Sequence, residues 1–139
     1  MKINPYLNFN GNCAEAFQLY AKVLGGKNLS IMTFRDLPPN ESMPPIPEEQ
    51  KDWVMHARFM VGDVTIMGSD APGGRYNTPA GYAVNIGVDT PEEAERVFKA
   101  LSEGGAIGMP IAETFWAKRF GMVTDRFGVH WMVNCEKPM

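Results

Sequence analysis

Residues 120–134 read Phe-Gly-Met-Val-Thr-Asp-Arg-Phe-Gly-Val-His-Trp-Met-Val-Asn, and their alternation decides the fold. A period of two gives two short strands joined by a tight turn over Asp125–Gly128. In the second strand Trp131 and Val133 point to one face, and His130, Met132 and Asn134 to the other. The apolar face of such a pair has to be covered, and the segment upstream supplies the cover.

Residues 82–88 read as a strand, and Thr90-Pro91-Glu92-Glu93 opens a helix. Thr90 is the cap, Pro91 sits where its missing N–H costs nothing, and Glu93 is expected to complete a capping box. Ala94, Val97, Phe98 and Leu101 form one apolar stripe, closed by Gly104-Gly105. Strands are expected near 109–113, 120–125 and 130–135. The same order appears earlier in the chain. A strand at 5–10 is followed by Asn12 as the expected cap of a helix whose stripe is Cys13, Ala16, Phe17, Tyr20, Val23 and Leu24. Gly25-Gly26 ends that helix, and strands are read at 29–35, 54–61 and 64–69. Gly62-Asp63 joins the last two as a hairpin. Shifting the first helix by 78 residues lays Glu15-Ala16, Leu19, Tyr20, Val23 and Gly26 on Glu93-Ala94, Val97, Phe98, Leu101 and Gly104. The fold class is therefore α+β, with two tandem βαβββ modules forming a curved mixed sheet. Module one covers about 1–70, a Gly/Pro-rich linker 71–81, and module two about 82–137. Residues 36–52, with prolines at 38, 39, 44, 45 and 47, form a long loop that suits a gate.

Composition narrows the function. The chain has 139 residues, 45% of them hydrophobic, and a net charge of −3. Its Lys and Arg residues are scattered, so a nucleic-acid partner has no basic stripe to bind. Apolar runs are too short to span a bilayer, and no membrane partner is expected. Cys13 and Cys135 have no metal-ligand spacing, and a cytoplasmic chain with reduced thiols is expected.

Sorting the strands by alternation places Val64, Ile66, Val84, Ile86, Val88, Trp131 and Val133 against the helices. The opposite faces are assigned Leu7 and Phe9, His56, Arg58 and Met60, Thr65, Met67 and Ser69, Asn85 and Gly87, and His130, Met132 and Asn134. Thioether, amide, imidazole and small side chains stand together there, a mixture that suits a small-molecule cup. The ligand-binding candidates are Phe9, His56, Arg58, Met67, Asn85, Trp116, His130 and Met132. His56 and His130 are also the candidate acid and base, or an anion-binding pair with Arg58, with a hydrogen bond to a neighbouring strand or loop as the plainer role of each. Asp70, Glu113 and Asp125 could serve as bases, with capping of a turn or solvation as the plainer role. Trp53 and Trp116 are either lids over a flat ligand or anchors in a dimer contact. Cys13 lies where a helix dipole would lower a thiol pKa, although a packed thiol is the simpler reading.

Phe17-x-x-Tyr20-x-x-Val23-Leu24-Gly25-Gly26, the paired modules, and Phe115-Trp116…Arg119-Phe-Gly-Met-Val-Thr-Asp125…Phe127-Gly-Val-His-Trp131 resemble the PhnB-like branch of the glyoxalase/bleomycin resistance/extradiol dioxygenase superfamily. That branch is also called 3-demethylubiquinone-9 3-methyltransferase-like. The resemblance implies two βαβββ modules and a homodimer. Arg126 departs from it, standing where the branch has proline. The resemblance also implies metal-ligand positions, which fall here on Pro5, Met67, Ala83 and Met132. Those side chains do not make a site for a hard or borderline divalent ion, so no metal and no cofactor is expected. Gly11 and Gly73-Gly74 are isolated turn glycines, and none forms the Gly-rich strand-to-helix turn of a cofactor-binding methyltransferase. The leading expectation is metal-independent binding of a small organic ligand. The alternatives are a lyase, isomerase or transferase using His56, His130 or an unrecognised divalent metal, and a scaffold whose cup is filled by its own side chains.

Overall fold

The computed structural model describes residues 1–38 and 45–138. Its elements run β1 (Tyr6–Phe9), α1 (Cys13–Leu24), β2 (Lys27–Thr33), β3 (Val54–Val61), β4 (Val64–Asp70), β5 (Val84–Gly87), α2 (Pro91–Ser102), β6 (Ala106–Ala112), β7 (Ala117–Thr124) and β8 (His130–Glu136). Two four-stranded mixed sheets result, ordered β1-β4-β3-β2 and β5-β8-β7-β6. In each, the first and last strands of a module pair in parallel and the remaining pairs are antiparallel. The chain divides into two compact units, Met1–Asn77 and Thr78–Met139, each holding one sheet and one helix. Among the described residues no helix is long and apolar enough to cross a membrane.

Unit 1 has an aromatic core. Phe17 from α1 packs edge-on to Phe9 and Phe59, and Tyr20 lies beside both Phe9 and Phe17. The helix approaches closely because Gly68 lies beneath it. A Cβ there would stand 2.7 Å from the Phe17 ring and from the Leu7 carbonyl. Unit 2 repeats the device with Phe98 of α2 over Gly121, where a Cβ would come within 2.6 Å. Val97, Leu101, Trp131 and Val133 complete that core.

Phe9 and Leu7 therefore belong to the helix side of their sheet, not to the cup face; Phe9 is 0% exposed. The offset of 78 that relates the helices would group Leu7 and Phe9 with Asn85 and Gly87. The strands are out of phase with it. In β1 the second and fourth residues are buried, whereas in β5 the first and third are the better covered. The residues of β1 that face away from α1 are Tyr6 and Asn8.

Helix capping also differs between the halves. Asn12 makes no side-chain cap bond; its place is taken by Asp70, whose Oδ1 accepts from the Gly11 and Cys13 N–H groups at 2.8 and 3.0 Å. Thr90 caps α2 as expected, accepting from Glu93 N–H at 3.1 Å. The Glu93 carboxylate turns outward to Arg96 and is held below the usual carboxylate range by that hydrogen bond. Of the long proline-rich loop, residues 39–44 lie outside the described residues. Its flanks form short 3-10 turns, Phe34–Asp36 and Glu48–Gln50, joined by Arg35 bonding Asp52 and Glu48.

Candidate functional site

Each sheet has one face against its helix and one face turned away. In unit 1 the register places Tyr6, Met67, Arg58 and Ser30 in one row across all four strands. Met32 and His56 are partners in the next row, with Ser69 and Asn8 continuing on the same side of β4 and β1. The Tyr6 and His56 rings lie 6.0 Å apart. Two strands hydrogen-bond β3 on either side, so His56 and Arg58 project from the middle of the sheet rather than from its rim. Among the described residues neither side chain makes a hydrogen bond or ion pair.

In unit 2 the corresponding face carries methionine. Asn85, Met132, Met122 and Met109 follow one another across β5, β8, β7 and β6. Directly opposite side chains on neighbouring strands are close enough to touch, so three thioethers form a continuous band. The next row contains Gly87, Asn134 and Phe120. Trp116, 42% exposed, meets Phe120 edge-on at 5.3 Å and Phe115 at 4.9 Å. The Asn134 Oδ1 atom is shut off from solvent and has no hydrogen-bond partner among the described residues, which is uncommon for a buried acceptor.

His130 is also in unit 2 but is fully occupied. Nε2 lies 2.8 Å from the Pro79 carbonyl, and Nδ1 2.7 Å from Thr124 Oγ1. A carbonyl can only accept, so Nε2 donates to it, and in the neutral ring Nδ1 accepts from the threonine hydroxyl. That assignment uses both ring nitrogens, and the side chain joins β8 to β7 and to the segment before β5. It positions structure, in contrast to His56.

The other acidic candidates also have structural work. Asp70, 3% exposed, accepts the two amides at α1 and, through Oδ2, the Val54 N–H at 2.9 Å. Asp125, 4% exposed, takes the Phe127 and Val129 N–H groups on Oδ1 and the Trp131 indole N–H on Oδ2 at 2.8 Å. Arg126 stands over the Phe127 ring at 4.4 Å, closing this turn without proline. Glu113 pairs with Lys137 and is held low by it. Cys13 runs against the dipole expectation: burial, and then the Asp70 charge, push its thiol well above the ordinary range. Trp53 lies against Gly11, where a Cβ would come within 2.8 Å of the indole, and acts as a packing anchor.

The donor set does not fit a divalent metal. Among the described residues no three His, Cys, Asp or Glu converge on one point. Met67 and Met132 offer only thioethers, Ala83 offers no donor side chain, and the Pro5 carbonyl already accepts Met67 N–H at 3.1 Å.

Residues 1–134 match the protein family described as 3-demethylubiquinone-9 3-methyltransferase. The chain is similar to protein YjdN of Escherichia coli K12, with 36% identity over 143 residues that cover 99% of this chain and 97% of YjdN. Among solved structures it resembles protein PA1353 from Pseudomonas aeruginosa, at 48% identity and a TM-score of 0.85 over 99% of each chain. It also resembles the PhnB protein from Bacillus cereus, at 25% identity and a TM-score of 0.76, over 97% of this chain and 99% of that one. A glyoxylase/bleomycin resistance protein/dioxygenase domain from Frankia shares the fold, at 13% identity and a TM-score of 0.64, covering 99% and 98% of the two chains.

Proposed function

The chain belongs to the PhnB-like, 3-demethylubiquinone-9 3-methyltransferase-like family within the glyoxalase/bleomycin resistance superfamily, and on that premise we propose that it binds a small organic molecule without a metal ion. The supporting observation is the face of unit 2 turned away from α2. A band of three thioethers there runs beside Trp116 and Phe120. Methionine is flexible and polarisable, so such a band adapts to varied apolar bodies.

The test is methyl NMR on protein labelled at the methionine Cε, titrated with small aromatic alcohols and amides. Saturable shifts at Met109, Met122 and Met132 are expected, unchanged by chelator. Shifts seen only after adding Zn²⁺, Ni²⁺ or Mn²⁺ would overturn the metal-free reading. A homodimer is part of the proposal: β6 is an edge strand with Ile107 53% and Met109 42% exposed, and a second chain would cover it. Light scattering reads this directly.

A catalytic reading is favoured by one observation, the ring nitrogens of His56, which have no hydrogen-bond partner among the described residues. A lyase, isomerase or transferase using it as acid or base would lose turnover in His56→Ala while keeping ligand affinity. A binder would show no turnover to lose.

A further inference from the structure

We infer that the face of unit 1 turned away from α1 is an oxyanion site, taking the carboxylate or phosphate group of a small molecule whose apolar body lies on Tyr6 and Met67. This rests on the small-molecule reading above and adds a ligand class and a second recognition surface to it.

Three observations support it. The first is a contrast among the arginines. Arg35 bonds Asp52 and Glu48, Arg96 bonds Glu93, Arg119 bonds Glu95, Arg126 stands over Phe127, and Arg75 reaches the Pro72 carbonyl. Only Arg58 has no partner among the described residues. The second is its surroundings. It projects from an inner strand between Ser30 and Met67, and none of the residues that the register places beside it on that face is a carboxylate. An exposed guanidinium with no carboxylate partner among the described residues is complementary to an anion. The third is the second donor. His56 lies two residues away on the same strand, about 7 Å along it, and its ring nitrogens have no partner among the described residues.

A planar guanidinium grips carboxylate or phosphate oxygens in a bidentate fork. An imidazole N–H can take a remaining oxygen. The tilted Tyr6 ring beside His56 and the thioether of Met67 then offer a surface for an aromatic or aliphatic body.

The experiment compares phenyl phosphate, benzoate and benzyl alcohol by calorimetry and by the Met67 methyl resonance. It uses wild type, Arg58→Gln, Arg58→Lys and Arg35→Gln, each first shown to be folded by urea unfolding. At least one anionic probe should bind about tenfold or more tightly than the alcohol, and which one shows whether carboxylate or phosphate is preferred. Arg58→Gln should bring the ratio near one, Arg58→Lys should keep part of it, and Arg35→Gln should leave it unchanged. If the alcohol binds and the anions gain nothing, the oxyanion site is overturned while the small-molecule reading stands. An anion preference that survives Arg58→Gln, or falls equally in Arg35→Gln, also overturns it. If no probe binds, both readings fall.

Discussion

Asp70 closes unit 1 from the end of β4, whereas Asp125 closes unit 2 from the turn before β8. Each buried carboxylate accepts N–H groups from more than one direction, but the partners differ in kind. Asp70 collects amides from the turn before α1, from the first residue of α1 and from the start of β3. Asp125 collects two amides of its own turn and one indole on the following strand. The cap of α1 is therefore a tertiary contact, while α2 carries its own cap in Thr90. Removing one carboxylate should disturb three elements at once; removing the other should loosen a hairpin.

The largest effect should follow Asp70→Ala, which strands three buried or half-buried donors. A loss of about 3 kcal/mol or more is expected in urea unfolding. Asp125→Asn keeps an acceptor for the turn amides but sets an amide N–H₂ against the Trp131 indole. Its cost, about 2 kcal/mol, should shrink in a Trp131→Phe background, and a double-mutant cycle reads that coupling. Equal, additive losses at both sites would erase the distinction between the two units.

Next comes the packing of each helix on its glycine. Gly68→Ala and Gly121→Ala should each cost about 1–3 kcal/mol. The larger loss is expected at Gly68, where the added carbon meets a backbone carbonyl as well as the phenylalanine.

Cys13 gives unit 1 a pH dependence. Its thiol is raised in the folded state, so the unfolded chain ionises first. Stability is full below about pH 8.5, the ordinary thiol value, and falls as pH rises above it. The loss approaches about 2 kcal/mol by pH 10. The difference between wild type and Cys13→Ala isolates this contribution. A flat difference would show that the thiol ionises as easily in the folded state.

The smallest expected change separates the histidines. His130→Ala breaks two hydrogen bonds and should cost about 1–2 kcal/mol. His56→Ala should stay within about 0.5 kcal/mol and act on ligand affinity alone. Comparable destabilisation would mean that His56 also has a structural partner.

Much of this was legible in the chain because its signals are local. β3 runs over Val54–Val61, the span its alternation and the following Gly62-Asp63 turn specify. Thr90-Pro91 marks α2 to the residue. β6 and β7 begin three residues before their apolar patterns do, at Ala106 and Ala117. Ala106 and Ile107 are recruited by pairing with Thr124 and Val123 of β7, and Ala117 and Arg119 by pairing with Glu136 and Cys135 of β8. The face of β1 was misread because Tyr6, Leu7 and Phe9 are all large and apolar, so alternation alone cannot say which side is covered. Partners distant in sequence left no trace. Asn12 has the chemistry of a cap, and Asp70 displaces it from the far end of the module. His130 looks as available as His56 until Pro79 is brought against it.

The parallel pairing of first and last strands also governs the order in which the protein can be made. During synthesis Tyr6 waits for Met67, and Val84 for Trp131. Neither sheet can be completed by zipping neighbours together as they emerge. Until Asp70 has left the ribosome, β1 has no hydrogen-bonding neighbour and α1 no acceptor for its leading amides. Unit 1 can then finish while unit 2 is still being translated. A pause after the linker would favour correct assembly, and truncation within β8 would strand β5 as an orphan edge.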